Sequence, residues 1–278
     1  MGKKVLIFNY DVCNGCYNCQ VACKDEHCAN DWSPIAKPQP DTGQFWNKVY
    51  DNVRGQVPKV KITYEHSICQ HCDDAPCIKS CNSKAIYQRD DGAVIIDPAK
   101  CRGNQICMDA CPYENVIYFN DDLNIAQKCT FCAHLLEDGW EEPRCVDACP
   151  TDAMVFGDED DPKIKALIAQ AELLNPELAH VKPRVYYIGK PKKFIAGAIL
   201  DKDADECAAD VKVTATHTVT GACCGAVTDS YGDFWLKNLP DGHYTLLFEK
   251  PGYLTQKFGP VDVTKKDINV GDIELWKA

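Results

Sequence analysis

Short apolar runs separated by acidic or glycine-containing turns dominate the middle of this chain. KAIYQRDDGAVII (84–96) has such a turn at residues 90–92, and NVIYFNDDLNIAQK (115–128) has one at residues 120–122. Two apolar runs on either side of a short polar turn are typical of a β-hairpin. CPTDAMVFGDEDD (149–161) begins the same plan again, with one run and its acidic turn. The pattern therefore predicts a repeated unit built from small hairpins.

Clear helical periodicity is found in the segment that follows the last of these turns. Its apolar residues are spaced as one face of a helix requires: Ile164, Leu167, Ile168, Ala171 and Leu174. Asp161 is suited to the N-cap, and Pro162 is suited to the first helical position. We therefore predict a helix over residues 162–174, followed by a polar linker.

The composition changes at residue 194 and stays changed to the C-terminus. Short segments rich in Val, Thr and aromatic residues alternate with Gly, Pro and Asp turns. This alternation predicts a small antiparallel β-sandwich over residues 194–278. Residues 31–66, in contrast, are rich in Pro and aromatic residues, and they fit either a long surface loop or a docking surface for a partner.

Composition and charge exclude several classes of protein. Of the 278 residues, 45% are apolar, which excludes a disordered or collagen-like chain. The formal charge of −11 argues against nucleic acid and anionic membranes as partners. The apolar run at residues 5–8 is too short for a signal peptide, and we expect no direct membrane span. We expect a cytoplasmic protein or, alternatively, one exported in the folded state with a signal-bearing partner.

Cysteine is the residue type that carries the chemistry of this sequence. The chain has 19 cysteines, and 15 of them fall into four groups with short, regular spacing. The groups are Cys13, Cys16, Cys19 and Cys23; Cys69, Cys72, Cys77 and Cys81; Cys101, Cys107 and Cys111; and Cys129, Cys132, Cys145 and Cys149. Such groups in a reducing compartment indicate metal ligands rather than disulfides.

The spacing within the groups favours iron–sulfur clusters over zinc. Three closely spaced cysteines can hold three irons of one [4Fe–4S] cluster, while the fourth lies one helical turn further on and ligates another cluster. A structural zinc site would use two separated pairs of ligands instead. Pro112 and Pro150 directly follow Cys111 and Cys149, as in the two-cluster ferredoxin motif.

Pseudo-twofold symmetry then pairs the groups, so that three cysteines of one group share a cluster with the last cysteine of its partner group. Chain order pairs the first group with the fourth, and the second with the third. The predicted sites are site A, with Cys13, Cys16, Cys19 and Cys149; site B, with Cys129, Cys132, Cys145 and Cys23; site C, with Cys69, Cys72, Cys77 and Cys111; and site D, with Cys101, Cys107 and Cys81.

Site D is one cysteine short. The motif spacing would place the missing ligand at position 104, where the chain has Asn104. An amide is a poor substitute for a thiolate, so we expect a [3Fe–4S] cluster at this site. A [4Fe–4S] cluster with Asn104 or water on one iron and an empty site remain as alternatives. We expect [4Fe–4S] clusters at sites A to C. The cysteines of the four sites are expected to bind all of the iron in the protein.

The other candidate residues have less specific signals. Cys28, Cys207, Cys223 and Cys224 match no metal spacing and are expected to be free thiols. Four histidines are near the groups in the sequence: His27, His66, His71 and His134. We expect them to surround the clusters or to lie at the surface, and His71 and His134 are candidate hydrogen-bond donors to sulfur. Lys128 either offsets cluster charge or is solvated. We find no catalytic constellation in the sequence.

Four such groups, together with KCTFC (128–132), resemble the iron–sulfur subunits of the DMSO reductase family of molybdopterin enzymes. The resemblance implies the same pairing of groups, and the nitrate reductase member also lacks the cysteine that matches Asn104 and has a [3Fe–4S] cluster there. CKDEHCANDW (23–32), AQKCTFCAHLLEDGWEEPRC (126–145) and KPRVYY (182–187) resemble the small subunits of pyrogallol–phloroglucinol transhydroxylases and related phenolic hydroxylases and dehydroxylases. This likeness covers nearly the whole chain.

That narrower resemblance implies a large catalytic partner that carries a Mo or W bis-pterin cofactor and acts on polyhydroxylated aromatics. The transhydroxylase pattern lacks the site D ligands, whereas this chain keeps them, so a resorcinol-type hydroxylase or a catechol dehydroxylase is equally implied. TDSYGDFWLKNLPDGHYTLLFEKPGY (228–253) resembles carboxypeptidase-regulatory-like, transthyretin-type sandwiches.

The sequence thus predicts an α+β chain with three parts. A duplicated bacterial-ferredoxin-like domain with four cluster sites occupies residues 1–160 and contains the insert at 31–66. A helix and linker follow at 161–193, and the β-sandwich occupies 194–278. We expect a non-catalytic electron-transfer subunit in a heterodimer, exchanging electrons with an external donor or acceptor, with a free-standing polyferredoxin carrier as the alternative.

Overall fold

The computed structural model describes residues 2–278, which form two compact units. The first unit contains the chain up to Asp51 together with Tyr64–Lys190, and the second contains Asn52–Thr63 and Pro191–Ala278. This division into two units does not test the domain boundaries predicted from the sequence at residues 160 and 193, which stay predictions. Each unit has its own apolar core.

A three-stranded sheet in the first unit joins segments that lie far apart in the sequence. Its strands are β1 (Lys4–Asn9), β8 (Met154–Asp158) and β9 (Val185–Ile188). Strand β1 is central, antiparallel to β8 and parallel to β9. Its four residues Val5, Leu6, Ile7 and Phe8 are each at most 1% exposed, as expected for a strand covered on both faces. The N-terminal apolar run is therefore a core strand.

Two β-hairpins form where the sequence predicts them. The first pairs β4 (Ile86–Gln88) with β5 (Val94–Ile96), and the second pairs β6 (Ile117–Asn120) with β7 (Ile125–Lys128). Gly92 closes the first turn at a φ of +89°, a conformation that glycine adopts without strain. These two hairpin predictions are confirmed.

The helices of the first unit are short, and most of them contain or directly follow a cysteine. They are α1 (Asn18–His27), α2 (Pro76–Ser80), α3 (Ile106–Asp109), α4 (Ala133–Glu137), α5 (Arg144–Asp147), α6 (Pro162–Ile168) and a 3-10 helix at Pro176–Val181. Cys81, Cys111 and Cys149 each follow within two residues of the end of α2, α3 and α5. One helical turn therefore separates the last two cysteines in each of these groups.

The prediction of a helix through residue 174 is wrong at its C-terminal end. Helix α6 begins as predicted, because the Asp161 carboxylate accepts hydrogen bonds from the backbone N–H of Lys163 and Ile164. It ends at Ile168, and the chain is extended by Glu172, whose backbone pairs with Tyr187 through two hydrogen bonds of 2.8 and 2.9 Å. This long-range pairing overrides the local helical pattern.

The insert at 31–66 is neither a simple loop nor a row of exposed aromatic residues. Its second half forms a hairpin of β2 (Asn47–Gln56) and β3 (Lys59–Ile68). Trp46 is 1% exposed in the core of the first unit, and Trp32 stacks on His134 with ring centroids 4.4 Å apart. These aromatic side chains therefore contribute to packing rather than to a docking surface.

The second unit contains a sandwich of two four-stranded sheets. One sheet contains β10 (Lys193–Asp201), β11 (Glu206–Cys207), β14 (Asp233–Leu239) and β17 (Ile268–Leu275). The other has the order β13–β12–β15–β16, with ranges Cys223–Val227, Lys212–His217, His243–Glu249 and Gln256–Asp262. Alternate residues such as Val213, Leu246 and Phe248 fill the space between the sheets and are fully buried.

The turn of the β2–β3 hairpin belongs to this second unit and is attached by ion pairs. Arg54 donates to Asp267 through Nη2 at 2.8 Å and through Nε at 3.0 Å. Asp267 also accepts the backbone N–H of Phe194 at 2.9 Å, and Lys59 pairs with Asp233. The two side chains of the Arg54–Asp267 pair are only 13% and 7% exposed. Within residues 2–278, no helix is long and apolar enough to span a membrane.

We expect Arg54→Met to loosen the hairpin turn from the sandwich. Removing one partner of a largely buried ion pair leaves the other unpaired, at a cost of about 3 kcal/mol. Backbone amides in the turn would then exchange with solvent roughly 100-fold faster in hydrogen–deuterium exchange. Lys212→Met is the matched control, because Lys212 is 68% exposed and lies 3.8 Å from Glu249. Unchanged exchange in Arg54→Met would show that the pair does not hold the turn.

Candidate iron–sulfur cluster sites

The four cysteine groups lie in the first unit, on loops that lead into its short helices. Residues in the left-handed region bend several of these loops around a common centre, with φ of +61° at Tyr17, +45° at His71, +58° at Gln105 and +48° at Cys132. Non-glycine residues adopt this conformation only where the surrounding structure holds them in it. The loops are therefore shaped to turn their thiols inward.

Cysteines from distant groups are neighbours in the combinations predicted for sites A and B. The pKa of Cys13 is raised by burial and by the charges of Cys149 and Cys16. Burial raises the pKa of Cys19 to about 12, with further contributions from Cys149 and Cys13. In the other set, burial and the charges of Cys132, Cys23 and Cys129 raise the pKa of Cys145. Each set combines the first group with the fourth.

The second and third groups meet in the same way at sites C and D. One cavity is lined by all four cysteines of site C, namely Cys69, Cys72, Cys77 and Cys111. At site D, burial raises the pKa of Cys107 to about 11, and the charges of Cys101 and Cys81 add to the shift. The structure thus brings together the cysteines of each set predicted from the sequence.

The four sites follow one another in a row. The charge of Cys19 from site A acts on Cys23 and Cys145 of site B. The charge of Cys69 from site C acts on Cys129 of site B. Cys107 of site D acts on Cys77 and Cys111 of site C. Sites A, B, C and D are therefore consecutive neighbours.

Burial differs between the ends and the middle of this row. All four cysteines of site B are buried, as are three of the four at site C. Site A has the exposed Cys16, and site D has the half-buried Cys81 and Cys101 beside the exposed Asn104. The two end sites are therefore the ones closest to solvent.

The residues at these sites fit iron–sulfur clusters. Buried thiols that raise one another's pKa stay protonated unless a cation stabilises the thiolates, and iron supplies that charge. Among residues 2–278, no group of three or more ligating side chains is close enough to surround a single ion. The thiolates of a cluster bind separate irons, so they are spaced more widely than the ligands of one ion.

Backbone N–H groups also point at the cysteine sulfurs. The N–H of Phe131 lies 3.4 Å from the Cys129 sulfur, and that of Ala126 lies 3.5 Å from the Cys101 sulfur. Such hydrogen bonds stabilise the negative charge of a bound cluster and help to set its reduction potential. These donors therefore suit sulfurs that carry negative charge.

Comparison with known proteins agrees with this geometry. Residues 60–159 match the 4Fe-4S dicluster domain, and residues 195–275 match the carboxypeptidase regulatory-like domain. The pyrogallol hydroxytransferase small subunit of Pelobacter acidigallici is 34% identical, over 99% of this chain and 100% of that protein. This chain belongs to the family of iron–sulfur subunits of DMSO reductase-type molybdopterin enzymes.

Other relatives match the cluster-binding part of the chain. A putative iron–sulfur subunit of the dimethyl sulfoxide reductase of Halobacterium salinarum is 37% identical, over 66% of this chain and 78% of that protein. The arsenate respiratory reductase iron–sulfur subunit of a Shewanella species is 33% identical, over 66% of this chain and 94% of that protein. As an iron–sulfur subunit of this family, the chain transfers electrons through its clusters.

Site D differs from the other sites of this iron–sulfur subunit in its surroundings. Burial opposes ionisation of Cys81, but hydrogen bonds from Ser83, Ile86 and Ala85 outweigh it and lower the pKa of this thiol. Asn104 lies in an exposed stretch of the loop between Cys101 and Cys107. Site D thus has three neighbouring cysteines, one of which favours the thiolate form.

The four histidines near the groups are all withdrawn from solvent. His27, which the sequence does not single out as a donor, lies 3.8 Å from the Cys132 sulfur through Nε2. His134 instead has its Nε2 3.0 Å from the Glu26 carboxylate, and its other ring nitrogen has no partner. His66 stacks on Phe8 with ring centroids 4.7 Å apart. The contact between Glu26 and His134 joins distant segments, so the spacing of cysteines could not have indicated it.

Lys128 is buried rather than solvated. Its side chain is 2% exposed, and Nζ donates to the backbone carbonyls of Val94 and of Cys129, the latter at 3.0 Å. Its charge favours the thiolate forms of Cys77 and Cys111 at site C. A buried ammonium needs a nearby negative charge, and a bound cluster provides one.

The remaining cysteines lie outside the four sites. Cys28 lies 3.3 Å from the Asp41 carboxylate, and Cys207, Cys223 and Cys224 lie in the sandwich. All 19 cysteines of the chain are free thiols in the structure. The assignment of individual cysteines to clusters stays a prediction, and it is directly testable.

We expect Cys23→Ala and Cys145→Ala to abolish the same EPR component of the reduced protein. Each should also lower the iron content by about four per chain, because both residues are placed at site B. Cys19→Ala should abolish a different component, although Cys19 and Cys23 share helix α1. Cys28→Ala is the control and should keep all components. Loss of one common component in Cys19→Ala and Cys23→Ala would contradict the pairing.

Proposed function

We propose that this chain is the electron-transfer subunit of a heteromeric Mo- or W-pterin oxidoreductase that acts on polyhydroxylated aromatics. The observation that carries the proposal is the row of four cysteine sites, with the more exposed sites at its two ends. Electrons must enter and leave such a row at the surface, while buried clusters between the ends pass them on. A carrier of this kind needs no substrate site of its own.

We further propose three [4Fe–4S] clusters at sites A, B and C, and a [3Fe–4S] cluster at site D. Sites A to C each bring four cysteines together, one thiolate for each iron of a cubane. Site D brings three together, and Asn104 takes the position of the fourth. Site D would then have a higher potential than its neighbours, because the type of cluster helps to set the potential.

The partner in this proposal is a large catalytic subunit that binds the Mo or W bis-pterin cofactor. Relatives named as small or iron–sulfur subunits of multi-subunit enzymes support it. The pterin centre would carry out the reaction on the substrate. This chain would supply the thiolates, the backbone donors and the buried Lys128 that hold clusters beside that centre.

The proposed substrate class rests on the share of this chain that each relative matches. Relatives named for dimethyl sulfoxide, arsenate and tetrathionate reduction each cover 66% of this chain. The pyrogallol hydroxytransferase small subunit covers 99% of it, including the sandwich. Because the full architecture is matched by a protein named for a phenolic substrate, we assign a transhydroxylase, resorcinol-type hydroxylase or catechol dehydroxylase reaction to the complex.

Metal analysis of the anaerobically purified native complex tests this proposal. We expect about 15 irons per chain, because three cubanes and one three-iron cluster are present, together with one Mo or W. Hydroxylation releases electrons, so a resorcinol-type hydroxylase should reduce oxidised clusters when a polyhydroxybenzene is added, as measured by visible absorbance and EPR. Dehydroxylation consumes electrons, so a catechol dehydroxylase should oxidise reduced clusters. A transhydroxylase reaction is redox-neutral overall and should convert the aromatic compound without a lasting change in the clusters. Tetrathionate and arsenate are the control substrates and should leave the clusters unchanged.

Two outcomes of that experiment would contradict the proposal. Iron without Mo or W, and without a stoichiometric large subunit, would identify a free-standing polyferredoxin carrier. A response to arsenate or tetrathionate, but not to the aromatic compound, would keep the electron-transfer role and refute the substrate class. About 12 irons would mean that site D is empty.

Asn104→Cys tests the cluster type at site D. Because position 104 is exposed and fits the motif spacing, we expect the new thiolate to bind a fourth iron and convert [3Fe–4S] to [4Fe–4S]. The iron content would rise by about one, and the oxidised protein would lose its EPR signal, since an oxidised [4Fe–4S] cluster is diamagnetic.

Ile106→Cys is the matched control for this substitution. Ile106 is also exposed, two residues further on as the first residue of α3, but it lies outside the motif spacing. The control should leave both the iron content and the EPR signal unchanged. An oxidised wild-type protein without that signal would refute the three-iron cluster.

A further inference from the structure

His71 is a buried histidine with one ring nitrogen satisfied and the other without a partner. Its side chain is 1% exposed, and its ring stacks on Phe131 with centroids 3.6 Å apart. Nδ1 accepts the backbone N–H of Val94 at 2.9 Å. Nε2 is buried and has no hydrogen-bond partner.

The bond from Val94 determines which tautomer His71 adopts. A ring nitrogen that accepts a hydrogen bond carries no proton, so the proton of the neutral imidazole is on Nε2. The free Nε2 is therefore a fixed N–H donor rather than an acceptor.

The cavity that His71 lines offers cysteine sulfurs as acceptors, and beside them the Oε1 of Gln70, which is buried without a partner. His71 lines the cavity formed by Cys69, Cys72, Cys77 and Cys111, together with apolar residues such as Ile117 and Val94. Tyr113 also lines this cavity, and its hydroxyl is buried without a partner. A buried N–H donor left unpaired is unfavourable, and a cluster sulfur in this cavity would supply the missing acceptor.

We propose that His71 donates a hydrogen bond from Nε2 to a sulfur of the cluster at site C and thereby raises the reduction potential of that cluster. Reduction adds one electron to the cluster, so the hydrogen bond is stronger in the reduced form than in the oxidised form. The stacked Phe131 and the bond to Val94 keep the ring in place. This inference rests on the proposed cluster at site C.

Two substitutions separate the donor from the shape of the side chain. In His71→Asn the amide oxygen can replace Nδ1 toward Val94, but no donor reaches the position of Nε2. In His71→Gln the longer amide can replace the Nε2 donor. Asparagine also suits the left-handed backbone at this position, where φ is +45°. Both variants remove the aromatic ring, so they control for its loss.

The measurement is an EPR-monitored redox titration of the purified holo-complex. The site C component is identified as the one that disappears in Cys72→Ala. We expect His71→Asn to lower the equilibrium constant for its reduction about tenfold, a shift of 59 mV for one electron. His71→Gln should recover most of this shift, and the other components should keep their potentials.

A spectroscopic measurement on the wild-type chain covers the case in which a variant does not assemble. Pulsed ENDOR of protein labelled with 15N-histidine should show a nitrogen coupling in the reduced site C signal. An unchanged potential in His71→Asn, an equal shift in both variants, or no nitrogen coupling in the wild type would overturn the inference. Absence of any site C cluster by iron analysis and EPR would instead refute the proposed function.

Discussion

The first unit depends on accommodating eight buried thiols within its apolar core, while the other seven cysteines of the four groups lie closer to the surface. Cysteines of sites B and C take part in the same buried clusters as Phe8, Trp46 and Tyr187. Helices of four or five residues and strands of three or four are too short to be stable by themselves. Bound iron turns mutually repelling thiolates into cross-links between these elements. The cofactor therefore determines the stability of the fold as well as its redox chemistry.

That constraint explains which features could be predicted from the sequence. Cysteine spacing is local, and a motif with one helical turn between its last two ligands leaves few ways to build a cluster. Hairpins closed by an acidic or glycine turn are local as well. In the structure Cys145 of the fourth group lies near Cys23 of the first group, and the assignment of each thiol to a cluster stays a prediction.

The features that the sequence does not predict depend on contacts between distant segments. The end of α6 is set by the pairing of Glu172 with Tyr187, and the contact of His27 with Cys132 joins segments more than 100 residues apart. The run at residues 5–8 is by itself only a short apolar segment. Its role as the central strand β1 requires partners from β8 and β9, which no local pattern can indicate.

The hairpin of β4 and β5 links stability to redox tuning through a single residue. Val94 donates its N–H to His71 and accepts a hydrogen bond from Lys128 at its carbonyl. One strand residue thus orients a neutral donor and a buried cation beside the same thiols. A buried ammonium is stable only with a negative charge nearby, and a buried neutral donor needs a hydrogen-bond acceptor. A bound cluster would meet both needs, which explains why Lys128 and His71 lie inside the protein and not at its surface.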